Sequence, residues 1–345
     1  MPPIPLLFLH GLKGSLLRDG RGDVAWLTRS QVVGWGRAEL GLPLDWKGAI
    51  QARDDLRATE ALRGVSIIPG LLAQDFYGVW TRAALSWGRP FEEFAYDWRR
   101  DLHETAEALE ARLDASKQRH GQPAQVVAHS MGGLIALSVL NRRPELFAGA
   151  VFCGSPIGGG VGFLEDMHCG PRVGLNARLL DVRTLFSFPS VYTFFPESGE
   201  GLVDRDGAPL AMDFFDVAAW ARMRLGLFAI EAVATAGRAW LEKTLDRAKR
   251  YRCLLEARPI DYPPITVIAS QSRPTLDVAM QNGPLAIRGW DFKSRPRVPG
   301  DGRVRYVSAL VPDGIPSRVR LSTREHSEIL NDVALIQDAL EEQRR

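Results

Sequence analysis

The feature that most constrains this chain is the stretch Gln125-Val126-Val127-Ala128-His129-Ser130-Met131-Gly132-Gly133-Leu134-Ile135-Ala136. β-Branched residues lead into Ala-His-Ser-Met-Gly, and an apolar run suited to a helix continues to Leu140. The pattern predicts a strand, a sharp turn and a helix, with Ser130 at the apex. Residues two before and two after such an apex must be small because the backbone folds back on itself, giving the general form Gly-x-Ser-x-Gly. Here Ala128, still small, replaces the first glycine. A serine hydroxyl is a weak nucleophile that needs an adjacent base. The elbow exposes its oxygen to a histidine from elsewhere and aims the N–H of Met131 at a developing oxyanion. The plainer reading is a turn serine that caps a helix.

The rest of the chain favours the first reading. Residues 4–10 form a short apolar run that reads as a buried strand, followed by the turn His10-Gly11-Leu12-Lys13-Gly14-Ser15. A glycine-rich turn in this place is where a second oxyanion donor is expected, the backbone N–H of Leu12. Further strands are expected at 65–69, 91–98, 148–153 and 265–269. Helices are expected at 77–87, 105–119 and 333–342. This alternation predicts an α/β protein, a mostly parallel sheet with helices on both faces. Sites in such sheets form at the carboxyl ends of the strands. The alternation breaks between 162 and 258, where an aromatic stretch at 186–196 precedes a long amphipathic helix expected at 227–250. The expected organisation is a core of residues 1–161 and 259–345, a small cap near 24–49, and a helical lid insertion at 162–258. An apolar lid suits an apolar substrate.

The base and acid follow from chain order, which in this architecture runs Ser, acid, His. His326 is the last histidine and precedes the final helix, so it is the expected base. His10 is the rival, although a histidine there more often bonds its own loop. Asp301, between two glycines, is the expected acid and Asp277 the runner-up; an ordinary turn aspartate is the plainer reading of Asp301. The formal net charge of +2 offers no footprint for nucleic acid. Cys153, Cys169 and Cys253 lack metal-type spacing and are expected to be buried free thiols. No basic segment followed by a long apolar run opens the chain. The expectation is a cytoplasmic protein whose membrane contact, if any, is peripheral.

Taken together, these pieces resemble the lecithin:cholesterol acyltransferase family of α/β-hydrolases, with its phospholipid:diacylglycerol acyltransferase and phospholipase members. The matching segments are 8–15, Tyr96-Asp97-Trp98-Arg99, 128–133, Gly154-Ser155-Pro156, 187–192, Gly300-Asp301-Gly302, and Glu325-His326 with Ile329-Leu330. The resemblance implies an α/β-hydrolase fold and favours Asp301 as the acid, since the family's acid lies in a Gly-Asp-Gly-Thr-Val-Pro stretch. Arg303 and Arg305 stand where Thr and Pro would be, and His10 where the first-strand motif usually has Pro. Residues 24–49 hold no cysteine, so the disulfide of mammalian members is absent and secretion is not implied.

The resemblance further implies a serine hydrolase or O-acyltransferase acting on lipid or other apolar esters. Ser130, Asp301 and His326 would be catalytic, with Leu12 and Met131 as the oxyanion hole and no cofactor or metal required. Two alternatives stand beside it: a simple carboxylesterase or lipase, and a catalytically silent fold used as a binding protein.

Overall fold

The computed structural model describes residues 2–344 except residues 37, 45–53, 69–71 and 177. Six strands build the central sheet: β1 (Leu6–Leu9), β2 (Phe91–Phe94), β3 (Ala124–His129), β4 (Phe147–Cys153), β5 (Ile265–Ser270) and β6 (Arg318–Ser322). Their order is β6-β5-β4-β3-β1-β2, and every pairing is parallel. Successive connections turn in opposite directions on either side of β1, so the strand order reverses between β1 and β3. A crevice opens at the carboxyl ends of strands at such a switch point, which is where the chain places Gly11 and Ser130.

The near-continuous apolar runs of the inner strands follow from burial on both faces. Leu7, Leu9, Val126 and Ala128 face one core, with α2 (Leu102–His120) and α3 (Met131–Leu140) over it. The alternate residues Leu6, Phe8, Val127 and Val151 face a second core, covered by α1 (Gly78–Ser86) and α5 (Val333–Glu342). Leu102, Ala106, Leu109 and Leu113 recur at helical spacing and give α2 its buried stripe. Asp101 caps its start by accepting the His103 N–H at 2.8 Å, and Gly121, at φ 70°, ends it. The helix begins three residues earlier than the periodicity indicates because that cap lies ahead of the first charged turn. Every residue of α3 is buried, which explains why its sequence is apolar on all sides.

Four sequence expectations differ from the structure. Residues Gly64–Ile68 do form a strand, but it pairs antiparallel with Leu72–Asp75 in a separate hairpin. The strand expected at 91–98 stops at Phe94, because Tyr96 to Arg99 turn away to hold neighbouring loops. The long helix expected at 227–250 is two elements, a 3-10 turn at Gly226–Ala229 and α4 at Thr235–Arg252. Gly226, at φ 54°, sets the turn, and Ala234 is extended just before α4. Of the three free thiols only Cys153 is buried; Cys169 is partly covered, and Cys253 is exposed where α4 ends.

Within the expected cap, Val24–Trp26 joins Ser15–Arg18 and Arg57–Ala61 in a small antiparallel sheet, followed by a helical turn at Arg29–Val32. Residues 37 and 45–49 of that stretch, Trp46 included, lie outside the described residues. Helix α4 is fastened to the core: Tyr251 Oη bonds Ser138 Oγ at 2.8 Å, and His103 Nε2 donates to the Arg247 carbonyl at 3.2 Å. Arg252, buried, donates to the Ile157 carbonyl at 2.6 Å. The earlier part of the insertion is tied by the strand Leu202–Val203, which pairs with Ala279–Gln281 beyond β5. Among the described residues, no helix is long and apolar enough to cross a membrane.

Candidate active site

Strand β3 runs straight into the elbow. Ser130 sits at φ 53° and ψ −123°, between the strand and the first turn of α3. That left-handed backbone projects its side chain away from both elements. Small neighbours are a steric necessity: a Cβ at Gly132 would lie 2.6 Å from the His10 carbonyl oxygen, against the backbone of the β1 turn. Ser130 is almost entirely buried, at 8% exposure, yet its Oγ borders a cavity of about 990 Å³.

His326 arrives from the loop after β6. Its Nε2 lies 3.0 Å from Ser130 Oγ, and its Nδ1 lies 2.8 Å from Asp301 Oδ2. Asp301, at 2% exposure, ends a turn whose other oxygen, Oδ1, accepts the N–H groups of Arg303 and Val304 at 2.9 and 2.7 Å. Burial pushes the Asp301 pKa up, but the His326 ring and these two donors outweigh it, and the carboxyl lies below its usual range. An ionised carboxylate only accepts, so Nδ1 of His326 carries the proton and Nε2 is free to accept from Ser130. The His326 N–H also donates to the Asp301 carbonyl at 2.8 Å, fixing the two loops to each other. Gly154, at φ 56°, is obligatory beside them, since a Cβ there would approach Asp301 Oδ2 to 2.9 Å.

The rival residues sit elsewhere. Asp277 is paired with Arg305 at 2.6 Å. His10 Nδ1 donates to the Gly11 carbonyl at 2.8 Å while its Nε2 accepts the Tyr96 N–H at 3.2 Å. Burial lowers its pKa to about 4, so it stays neutral. Leu12 and Met131 both border Ser130, Leu12 in the cavity wall and Met131 as the first residue of α3. Neither backbone N–H has a partner among the described residues.

One participant carries no signal in the sequence. Tyr77 Oη accepts the Gly11 N–H at 3.0 Å and donates to His129 Nδ1 at 2.8 Å. His129 Nε2 then donates to the His326 carbonyl at 3.0 Å. Three distant segments are thereby joined behind the serine. Burial and the neighbouring His326 lower the His129 pKa to about 3, which keeps it neutral in this role. Tyr77 reads in sequence only as the start of a helix; its place depends on how α1 packs against β1.

The Tyr-Asp-Trp-Arg stretch acts one layer further out. Arg99, with no exposed side-chain surface, grips Asp97 through two bonds of 2.9 and 2.6 Å and donates to the Leu40 carbonyl at 2.9 Å. Ser190 donates to the Trp98 carbonyl at 2.7 Å, and Tyr96 Oη to the His10 carbonyl at 2.6 Å. The motif thus clamps the β1 turn, the cap and residues 187–192 together. Arg303 and Arg305 have partners of their own: Arg303 pairs with Asp166, in the insertion, and Arg305 with Asp277. The cavity wall combines Trp26, Leu27, Phe163, Phe194 and Leu276 with several charged groups. Among the described residues of the insertion, only some within 162–174 and Phe194 reach it, while α4 does not.

Comparison with known proteins agrees with this architecture. The chain is 24% identical over 310 residues to an uncharacterized protein of Saccharomyces cerevisiae, a match covering 70% of this chain and 47% of the relative. The chain therefore spans about half the length of that curated relative. Among solved structures, a chain of the Tle4–Tli4 complex superposes with a TM-score of 0.59 at 14% identity, covering 98% of this chain and 97% of that one. The lipase BlEst2 of Bacillus licheniformis, in mature form, matches with a TM-score of 0.43 at 11% identity, over 99% and 94% of the two chains. The fold is that of the α/β-hydrolases. The model of the family described as lecithin:cholesterol acyltransferase matches residues 34–213, more than half of the 345 residues, and the chain belongs to that family.

Proposed function

We propose that this protein is a serine acyl-ester hydrolase and O-acyltransferase that works on lipid esters through an acyl-Ser130 intermediate. The observation that carries the reading is the continuous hydrogen-bonded chain Ser130–His326–Asp301 at the wall of a large cavity. In this reading, Ser130 Oγ attacks the ester carbonyl while His326 Nε2 takes its proton. The same proton then passes to the leaving alcohol. Asp301 holds the ring and stabilises its charged form. The N–H groups of Leu12 and Met131 receive the oxyanion. Water attacking the acyl-enzyme gives the free acid; an alcohol gives a new ester.

Transfer requires the alcohol to outcompete water at roughly 55 M, which only a bound and oriented acceptor achieves. The apolar part of the wall supports such binding, with residues 162–174 and the small cap, rather than α4, as the covering elements. Trp35 and Leu175, at 88% and 76% exposure on adjoining loops beside the cavity, support a peripheral contact with a lipid surface.

The test offers a short-chain ester with a panel of fatty and sterol alcohols and quantifies free acid against new ester. Ser130 should label with a fluorophosphonate, and Ser130→Ala should abolish turnover in a folded protein. Turnover within a few fold of wild type in Ser130→Ala would remove the proposed nucleophile. Only free acid across the panel, in a protein that labels at Ser130, would leave a hydrolase and exclude transfer to those acceptors.

A further inference from the structure

The charged side chains around the cavity are not balanced. Asp166 pairs with Arg303, Glu325 with Arg273, Arg305 with Asp277, and Asp301 with His326. Lys13, Arg172 and Lys293 line the same cavity with no ion pair among the described residues, against one unpaired carboxylate, Glu165. The excess is three cations to one anion in a wall that also contains the serine.

Lys13 is the most constrained of the three. It follows Leu12 directly, is partly buried, and adopts φ 65°. A non-glycine residue enters that region at a cost, and such strain gathers at functional positions. Trp26 Nε1 donates to the Lys13 carbonyl at 3.2 Å and holds the conformation. Burial pulls the Lys13 pKa down, with Asp166 opposing and Arg303 reinforcing the shift. Asp166, already paired with Arg303, offsets only part of the desolvation penalty of this partly buried ammonium. A bound anion offsets that penalty and completes the pairing.

We propose that Lys13 forms a subsite for an uncompensated negative charge on the ester substrate. The occupant is the phosphate of an acyl ester whose headgroup bears no balancing cation. This deepens the proposed function and rests on it for the identity of the ester. Arg172 and Lys293, both exposed, add to the positive field through which such a substrate enters.

The experiment uses three short-chain lipids with the same acyl ester: a monoacylglycerol, its phosphate monoester and its phosphocholine ester. Binding to the Ser130→Ala protein is measured by calorimetry, so that turnover does not enter. The phosphate monoester should bind about tenfold tighter than either of the others, corresponding to ~1.4 kcal/mol, and the preference should shrink as salt rises. Lys13→Gln should collapse the preference towards unity and Lys13→Arg should retain it, with thermal melting confirming that both variants fold. Equal binding of the three lipids, or an equal loss on all three in Lys13→Gln, overturns the subsite. Inorganic phosphate binding as tightly as the phosphorylated lipid overturns the assignment of an ester as its occupant. Failure of wild-type Ser130 to label with a fluorophosphonate would overturn the hydrolase reading and leave the binding comparison standing, so the two failures are distinguishable.

Discussion

Asp301→Asn is the most informative single change. Asp301 Oδ1 accepts two backbone N–H groups, from Arg303 and Val304, and Oδ2 faces His326 Nδ1 at 2.8 Å. An asparagine must turn its carbonyl oxygen to the two backbone donors, because its amide cannot accept from them. The NH2 group then faces Nδ1 of His326 and forces that nitrogen to become the acceptor. The ring proton moves to Nε2, which faces Ser130 Oγ at 3.0 Å, and the base can no longer take the serine proton. The equivalent change in a well-studied triad lowers kcat by about 10⁴, some 5.4 kcal/mol of barrier. The fold should survive, since both backbone donors keep an acceptor. Asp277→Asn removes a pair with Arg305 whose side chains are 19% and 32% exposed. Such pairs are worth about 0–1 kcal/mol, so its activity should change by no more than about fivefold. The assay is initial rate on a short-chain ester, with thermal melting as the control for folding. A loss smaller than about tenfold in Asp301→Asn, or a larger loss in Asp277→Asn, would refute the argument.

Two further outcomes follow from buried groups. Tyr77→Phe removes the hydroxyl between Gly11 and His129 and leaves a buried donor and acceptor unpaired, which should cost about 1–3 kcal/mol in chemical denaturation. It should also lower kcat by loosening the β1 turn; an unchanged kcat would show that the turn holds without it. His10 and His129 are neutral in the fold, with pKa values lowered to about 4 and about 3 by burial. The unfolded chain protonates them near 6.5, so it binds more protons than the fold as pH falls below that value. Stability should therefore be full above about pH 7 and fall by on the order of 3 kcal/mol between pH 7 and pH 5. A denaturation midpoint that is flat over that interval would contradict the burial of both rings.

The elbow was legible because its constraints are local. A strand, a tight turn and a buried helix each leave a mark within a dozen residues, as Val126, Gly132 and Leu134 do. The parallel sheet was legible from alternation alone, since parallel strands require crossovers that are usually helical. What periodicity records is burial, not the partner that provides it. Periodicity therefore places a strand at 65–69 in the main sheet, whereas Gly64–Ile68 pairs with Leu72–Asp75 in a separate hairpin. The lid expected at 162–258 rests on the same kind of periodicity, and within it α4 is fastened to the core through Tyr251 and Arg252. Tyr77 was invisible because its function is the meeting of residues 11, 77 and 129, a tertiary event. The pairing of Arg303 with Asp166 is tertiary as well.

The backbone of Ser130 sets the fold's own preference against its chemistry. At φ 53° an L-residue with a Cβ is held in a conformation that glycine adopts without strain. Ser130→Gly should therefore raise the melting temperature while removing the hydroxyl proposed to attack the ester, with residual strain of about 1–3 kcal/mol as the amount released. In a lineage where the reaction ceased to matter, this position would be among the first to drift, because the mutation that silences the protein also makes it sturdier. A descendant with glycine at the elbow and every surrounding contact intact would be the mark of that history.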